Sequence, residues 1–251
     1  MLTLKLFRKL NKKTCTLFLA LEKHKDFPVV LIENRDEFFA RKSTTPHWWK
    51  NNNFFAGQDL EKGGTWFGHH KNGNWGVVTN YRDLTKPNLG ERSRGDLIPT
   101  IIGEEYTAAN ASRFLFENGK DFGPFNLIYS ISNEVFCYNS ELNKIEKLEA
   151  GIYGLSNAYL DTPWFKIVKG KKVFEKLIAQ KKLNKEAIFN MMLDEEKAPE
   201  NQLPETGLPL EIEKLVSSLF IKSKDYGTHC TTLLTIDKTG KLKFEERRFI
   251  K

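Results

Sequence analysis

Apolar and polar positions change period several times along the chain, and each change marks an element. Cys15–Leu21 (CTLFLAL) and Pro28–Ile32 (PVVLI) are short apolar runs around the polar Lys23–Asp26, the pattern of two strands and a turn. Thr65–His69 and Trp75–Tyr81 form a second such pair, joined by Lys71–Asn74 (KNGN), whose Asn-Gly pair suits a hairpin. Phe38–Asn53 has no period, and Arg82–Gly95 is polar with Pro87 and two glycines, so both predict loops. Helical spacing appears at Ala108–Phe116, followed by strand patterns at Phe125–Ile131, Glu134–Tyr138 and Ile152–Leu155. Asp161–Pro163 opens a helix reaching about Gln180. Its predicted apolar stripe is Phe165, Val168, Phe174, Leu177 and Ile178, with lysines opposite. Further helices are predicted at Lys185–Leu193, with Asn184 as N-cap, and at Pro209–Phe220. Thr231–Ile236 and Lys241–Phe249 close the chain as a hairpin. Strands at both ends and helices grouped between them predict an α+β fold with antiparallel sheets rather than alternating βαβ units.

Composition narrows the class. The chain has 251 residues, 40 % of them apolar, with 19 Phe, 7 Tyr and 5 Trp, which is too much apolar surface for a disordered chain. No window approaches the roughly 18 apolar residues of a membrane helix, so no integral membrane segment is expected. The net charge of +7 comes from dispersed lysines. The denser runs at Lys169, Lys171, Lys172, Lys181 and Lys182 fall at helical spacing, as on a solvated face, and no nucleic-acid partner is expected. Cys15, Cys137 and Cys230 are odd in number and irregular in spacing, which argues against a disulfide framework or a zinc cluster. They fit a reducing compartment. Residues 1–14 are basic without the apolar core of a signal peptide, so a cytoplasmic location is expected. The expected organisation is an N-terminal arm or removable extension over residues 1–14 and a single domain over 15–251.

A few residues could carry chemistry. Cys15 opens the first strand, as either a small core residue or a nucleophile. Cys137 sits inside an apolar strand and reads as core. Cys230 adjoins His229, but neighbouring strand residues point to opposite faces and would not readily pair. Asn34-Arg35-Asp36-Glu37 follows the second strand. It reads either as a strand-terminating turn with local ion pairs or as an Arg35–Asp36 pair beside a nucleophile, with Arg35 lowering the carboxyl pKa. Asn80 and Asn157 each end an apolar strand; such amides serve as structural partners or as oxyanion donors. No His and carboxylate set has metal-ligand spacing. His47, beside Trp48 and Trp49, reads as loop packing or as part of an aromatic ligand pocket.

Several strings in order carry a resemblance: CTLFLA at Cys15, ENRDEFFAR at Glu33–Arg41, AGQDLEKGGTWFG at Ala56–Gly68, GVVTNYRD at Gly76–Asp83, SRGDL at Ser93–Leu97, GLSNAYLDTPWFKIVKG at Gly154–Gly170 and YGTHCTTLLTID at Tyr226–Asp237. Together they resemble the NRDE family, also called the transport and Golgi organization protein 2 family. The resemblance implies a fold related to the N-terminal-nucleophile (Ntn) hydrolases, a four-layer αββα sandwich of two antiparallel sheets. It also implies an Ntn-type cysteine hydrolase acting on a carbon–nitrogen (amide) bond of a small metabolite, with no cofactor required. Cys15 would be the nucleophile, its own α-amine the base, Arg35 and Asp36 its neighbours, and Asn80 and Asn157 the oxyanion donors. Two departures stand out. Fourteen residues precede Cys15, and an unprocessed chain has no α-amine there. His229 stands where an Arg is expected, which changes the charge and reach of that position. The family also implies a second reading, a haem-trafficking protein or a lipid or acyl-CoA carrier. Haem would sit in a pocket lined by Trp66 and other tryptophans, with His47, His69 or His229 as transient ligands.

Overall fold

The computed structural model describes residues 14–50, 53–84, 90–103 and 106–250. The strands within them are β1 (Cys15–His24), β2 (Phe27–Phe38), β3 (His47–Trp49), β4 (Phe54–Ala56), β5 (Phe67–His70), β6 (Trp75–Asn80), β7 (Phe125–Ile131), β8 (Glu134–Asn139), β9 (Lys144–Lys147), β10 (Gly151–Leu155), β11 (Tyr226–Ile236) and β12 (Leu242–Arg248). The helices are α1 (Leu97–Ile101), α2 (Ala108–Asn118), α3 (Phe165–Ile178), α4 (Lys185–Met191) and α5 (Leu210–Leu215). The fold is α+β with two antiparallel sheets, each in its own compact unit. The described residues within Met1–Ala40, Arg82–Thr85 and Ala150–Lys251 make the first unit; those within Arg41–Tyr81 and Lys86–Glu149 make the second.

The first unit holds a five-stranded sheet in the order β10-β1-β2-β11-β12. β2 lies at its centre and runs on through Asn34-Arg35-Asp36-Glu37 to Phe38. The strand-terminating turn expected there does not form. Both neighbours hold the segment in register, with Cys15 opposite Arg35 on β1 and Tyr226 opposite Phe38 on β11. Backbone groups in this stretch therefore have ladder partners, and only the polar side chains need others.

Alternation divides the sheet into two faces. One carries Phe18, Ala20, Val30, Ile32 and Leu233, which pack on Ile167, Phe174 and Ile178 of α3 and on Ile188, Phe189 and Met192 at α4. Burying each such large side chain contributes roughly 1.5–3 kcal/mol. α3 approaches closely because Gly170 leaves room: a Cβ there would lie 2.3 Å from Phe18 Cζ. The buried stripe of α3 is Lys166, Ile167, Gly170, Phe174 and Ile178. Val168, expected inside, is 39 % exposed, while Lys166, expected on the solvated face, is buried.

One helix start agrees with the sequence expectation and one helix end corrects it. Asn184 does cap α4, its Oδ1 accepting from Ala187 N at 3.0 Å. The helix predicted at Pro209–Phe220 stops at Leu215. Beyond it the Ser217 and Ser218 hydroxyls donate to the Lys214 and Phe220 carbonyls, local bonds that compete with helix continuation.

The second unit is a seven-stranded meander in chain order from β3 to β9. β3, β4 and β9 lie in segments where three or four residues are too short to show a period. β7 and β8 are joined by Ser132 and Asn133, both with positive φ, as a two-residue primed turn requires. The strands' helical partner is fixed by Tyr138 Oη, which donates to the Leu115 carbonyl of α2 at 3.1 Å. Among the described residues no helix is long and apolar enough to cross a membrane.

Candidate active site around Cys15

Cys15 begins β1, and the sheet register sets its neighbours. Cys15, Arg35, Cys230 and Arg248 stand opposite one another across β1, β2, β11 and β12. Glu33, Thr232 and Glu246 occupy the next row on the same face. Continuing the β10 register past Leu155 brings Ser156 and Asn157 alongside Thr16 and Cys15. Ser156 Oγ donates to the Cys15 carbonyl at 2.7 Å, and the Arg82 amide donates to the Asn157 carbonyl at 2.8 Å. Cys15, Arg35 and Asn157 are thus brought together at one end of one sheet, all buried.

Asp36 lies on the opposite face from Arg35, since adjacent strand residues alternate. Its carboxylate accepts from Thr14 Oγ1 at 3.0 Å and Thr228 Oγ1 at 2.6 Å. Its amide donates to the Thr14 carbonyl at 3.2 Å, and the Thr14 amide donates to Tyr226 Oη at 2.8 Å. Asp36 therefore grips the residue joined to the Cys15 nitrogen. Arg35 does pull the Asp36 pKa down, but the net shift is upward. Burial pushes the carboxyl up to about 7, and the opposing pull comes first from buried Lys166, then from the two threonine hydroxyls, with Arg35 behind them.

Arg35 instead faces His229. β11 carries one extra residue between Thr228, opposite Asp36, and Cys230, opposite Arg35, and His229 is that bulge residue. The bulge aims its ring at Arg35, with Nδ1 3.1 Å from Nη1. A guanidinium only donates, so Nδ1 accepts and the neutral ring carries its proton on Nε2, which meets no hydrogen-bond acceptor among the described residues. Burial, then the Arg35 and Arg248 charges, lower the imidazole to about 3, so His229 is neutral at physiological pH.

Burial, aided by the Glu33 and Asp36 charges, raises the Cys15 thiol well above its ordinary value. Burial likewise raises Glu33, whose two carboxyl oxygens have no hydrogen-bond partner. Cys15 and Glu33 interact electrostatically but miss hydrogen-bond geometry. With Thr14 attached, Cys15 is a buried thiol beside a neutral imidazole.

Asn80, His47 and Trp66 belong to the second unit, where Asn80 ends β6 opposite Phe125 and His47 is exposed with Nδ1 3.0 Å from the Thr45 carbonyl. Cys137 and Cys230 are buried and form no disulfide. Among the described residues, no group of three or more His, Cys, Asp or Glu could hold a metal ion.

Sequence reasoning missed Glu33, Thr14 and Tyr226. Glu33 was legible in principle, being two residues before Arg35 and hence on its face. Thr14 and Tyr226 meet across 212 positions, and no local pattern announces that contact. Asn34 is also placed only by the fold. Its amide donates to the Met192 and Leu219 carbonyls, both at 2.9 Å, and its oxygen accepts from Thr231 Oγ1 at 2.5 Å, so the first residue of Asn34–Glu37 pins β2 to the helical layer.

Comparison with known proteins fits the motif content. The family described as Transport and Golgi organisation 2 matches residues 14–251. The chain is 30 % identical over 243 residues to the Transport and Golgi organization 2 homolog of Mus musculus, covering 89 % of this chain and 87 % of that one. It is 25 % identical over 244 residues to the Transport and Golgi organization protein 2 of Drosophila melanogaster, covering 88 % and 86 %. Among solved structures it is similar to a conjugated bile acid hydrolase from Clostridium perfringens, with a TM-score of 0.42, 9 % identity, and coverage of 94 % of this chain and 92 % of that one.

Proposed function

We propose, for a chain that belongs to the Transport and Golgi organisation 2 family, that it is a cysteine hydrolase of the Ntn type, cleaving the amide bond of a small metabolite. The observation that carries this reading is the seating of Cys15 at a sheet end beside Arg35 and Asn157, with Asp36 holding Thr14. Hydrolysis of the Thr14–Cys15 bond would leave a free α-amine on Cys15 in reach of the Asp36 carboxylate. That amine would take the thiol proton. The thiolate would add to the substrate carbonyl, the amine product would leave with the proton, and water would then release the acid from the Cys15 thioester. Asn157 would donate to the oxyanion. Arg35 would stabilise the thiolate through space. A reducing, cytoplasmic setting suits three cysteines that form no disulfide.

The test is intact mass on protein produced from its own gene context, followed by incubation with a panel of N-acyl amides. The expected result is a chain beginning at Cys15 that gains the mass of an acyl group, with no gain in Cys15→Ala. A chain that keeps Thr14 and forms no adduct with any amide sinks the proposal.

A second reading, the haem or lipid carrier, is favoured by one cluster in the second unit. Trp48, 53 % exposed, meets the Phe55 and His69 rings at 5.3 and 5.5 Å, a surface on which a flat ligand could stack. A haem titration with no Soret shift at micromolar concentration would count against it.

A further inference from the structure

We propose, on the reading of Cys15 as a nucleophile whose own amine is the base, that Lys166 is a positioning residue. Its buried ammonium is the counter-charge that lets Asp36 act as a carboxylate beside the Cys15 nitrogen.

Asp36 shares the face of β2 that carries Val30 and Ile32, the face on which α3 packs. Gly170 of α3 lies against Phe18 of β1, and Lys166 is one turn earlier on the same buried stripe. Both side chains therefore enter the layer between sheet and helix, and both are buried. A lysine in the first turn of a helix meets the positive end of the dipole, and its desolvation adds to that cost. A nearby anion offsets both.

Two hydroxyl protons point at Asp36. Thr228 Oγ1 accepts from the Ile221 amide at 2.9 Å, and its own proton goes to Asp36 Oδ1. Thr14 Oγ1 donates to Oδ2, and Tyr226 Oη, 2.7 Å away, donates to Thr14 Oγ1 in turn. A carboxylate accepting at both oxygens suits this arrangement. Among the described residues no hydrogen bond joins Asp36 to Lys166, whose Nζ donates to the Val216 carbonyl at 3.0 Å. Lys166 thus acts through space and leaves both Asp36 oxygens to their hydroxyl partners. Each of the two is the strongest charge acting on the other. Of the groups around them, Arg82 is paired with Glu213 at 3.0 Å and burial holds Tyr226 as a phenol. Cys15, Glu33, Arg35 and Glu37 project from the opposite face.

Loss of Thr14 would take one hydroxyl from Asp36 and present the Cys15 amine in its place. A carboxylate would accept from that amine. A neutral Asp36 would instead give the amine its proton and remove the base.

The test titrates both side chains in the full chain by carbon-13 NMR, with aspartate carboxyl and lysine Cε labels assigned through Asp36→Asn and Lys166→Gln. In Lys166→Gln the Asp36 carboxyl is expected to titrate at least about one pH unit above wild type, the effect of a lost opposite charge. Lys166→Arg keeps the charge and should restore most of the difference. Linkage requires the reciprocal: in Asp36→Asn the Lys166 ammonium should titrate lower by a similar amount. That measurement decides alone should Lys166→Gln fail to fold. In protein that begins at Cys15, the acid limb of acyl-adduct formation should move to higher pH in Lys166→Gln and return in Lys166→Arg. Titrations within about 0.3 pH unit of wild type, or an acid limb that stays in place, overturn this proposal alone. Coupled titrations with no adduct from any form overturn the Ntn reading, and the role of Lys166 at Cys15 with it.

Discussion

His229 should make the protein acid-labile in a way that one substitution removes. In the folded state its imidazole titrates at about 3, against 6.5 for an ordinary histidine. A folded pKa depressed in this way contributes stability that is complete above the unfolded value and is lost as pH falls toward the folded one. Between pH 6.5 and 3 the unfolded chain binds a proton that the native ring refuses, and the whole shift amounts to about 5 kcal/mol at about 1.4 kcal/mol per pH unit. Most informative is the range from pH 7 to 5, where the loss from this group is about 2 kcal/mol. The physical origin is visible in the site. The ring is fully buried, Arg35 Nη1 already donates to Nδ1 at 3.1 Å, and protonating that atom would set two donors against each other. His229→Gln keeps an acceptor for Arg35 and cannot titrate. Urea denaturation of both proteins at pH 7, 6 and 5 measures the difference in slope. Glu33, Asp36 and Glu246 have raised folded pKa values and act in the opposite direction, but both proteins contain them, so they cancel. Wild type should lose about 2 kcal/mol more than the variant. Parallel curves, within about 0.5 kcal/mol, would refute the reasoning and mean that His229 is protonated or solvated in the native state.

Three further expectations concern packing and reactivity. Asn34→Leu strands two buried carbonyls and the Thr231 hydroxyl, and should cost about 3 kcal/mol or more in chemical denaturation; a near-neutral variant would mean water replaces the amide. Gly170→Ala should destabilise by about 1–3 kcal/mol through overpacking on Phe18, outweighing a gain of about 1 kcal/mol in helix propensity, and a rise in Tm would show that α3 is not seated as described. In chain that retains Thr14, all three cysteines are buried and outside any disulfide, with Cys15 and Cys230 held as thiols by burial, so a thiol reagent should label them only as fast as the protein opens. Immediate modification of Cys15 in that form would contradict its burial.

Local pattern determined much of this protein. Runs of alternating or continuous apolar residues located β1, β6, β7, β8 and β11, and side-chain geometry at Asn184 set a helix start, because these depend on residues within a few positions of one another. The order of motifs pointed to the family and to Cys15, Arg35, Asp36 and Asn157 as residues of interest. Tertiary structure decided the rest. Asn34–Glu37 looked like the end of a strand because four polar residues in a row cannot be buried without partners. Those partners come from Thr14, Met192, Leu219, Thr228, His229 and Thr231, which only sheet pairing and helix docking deliver. Lys166 shared the sequence pattern of its solvated neighbours, and its burial beside Arg82 follows from where α3 meets the Ser217 turn. The protonation states of Cys15, Glu33, Asp36 and His229 are likewise set by desolvation, a property of the folded surroundings that a residue's sequence neighbours do not contain.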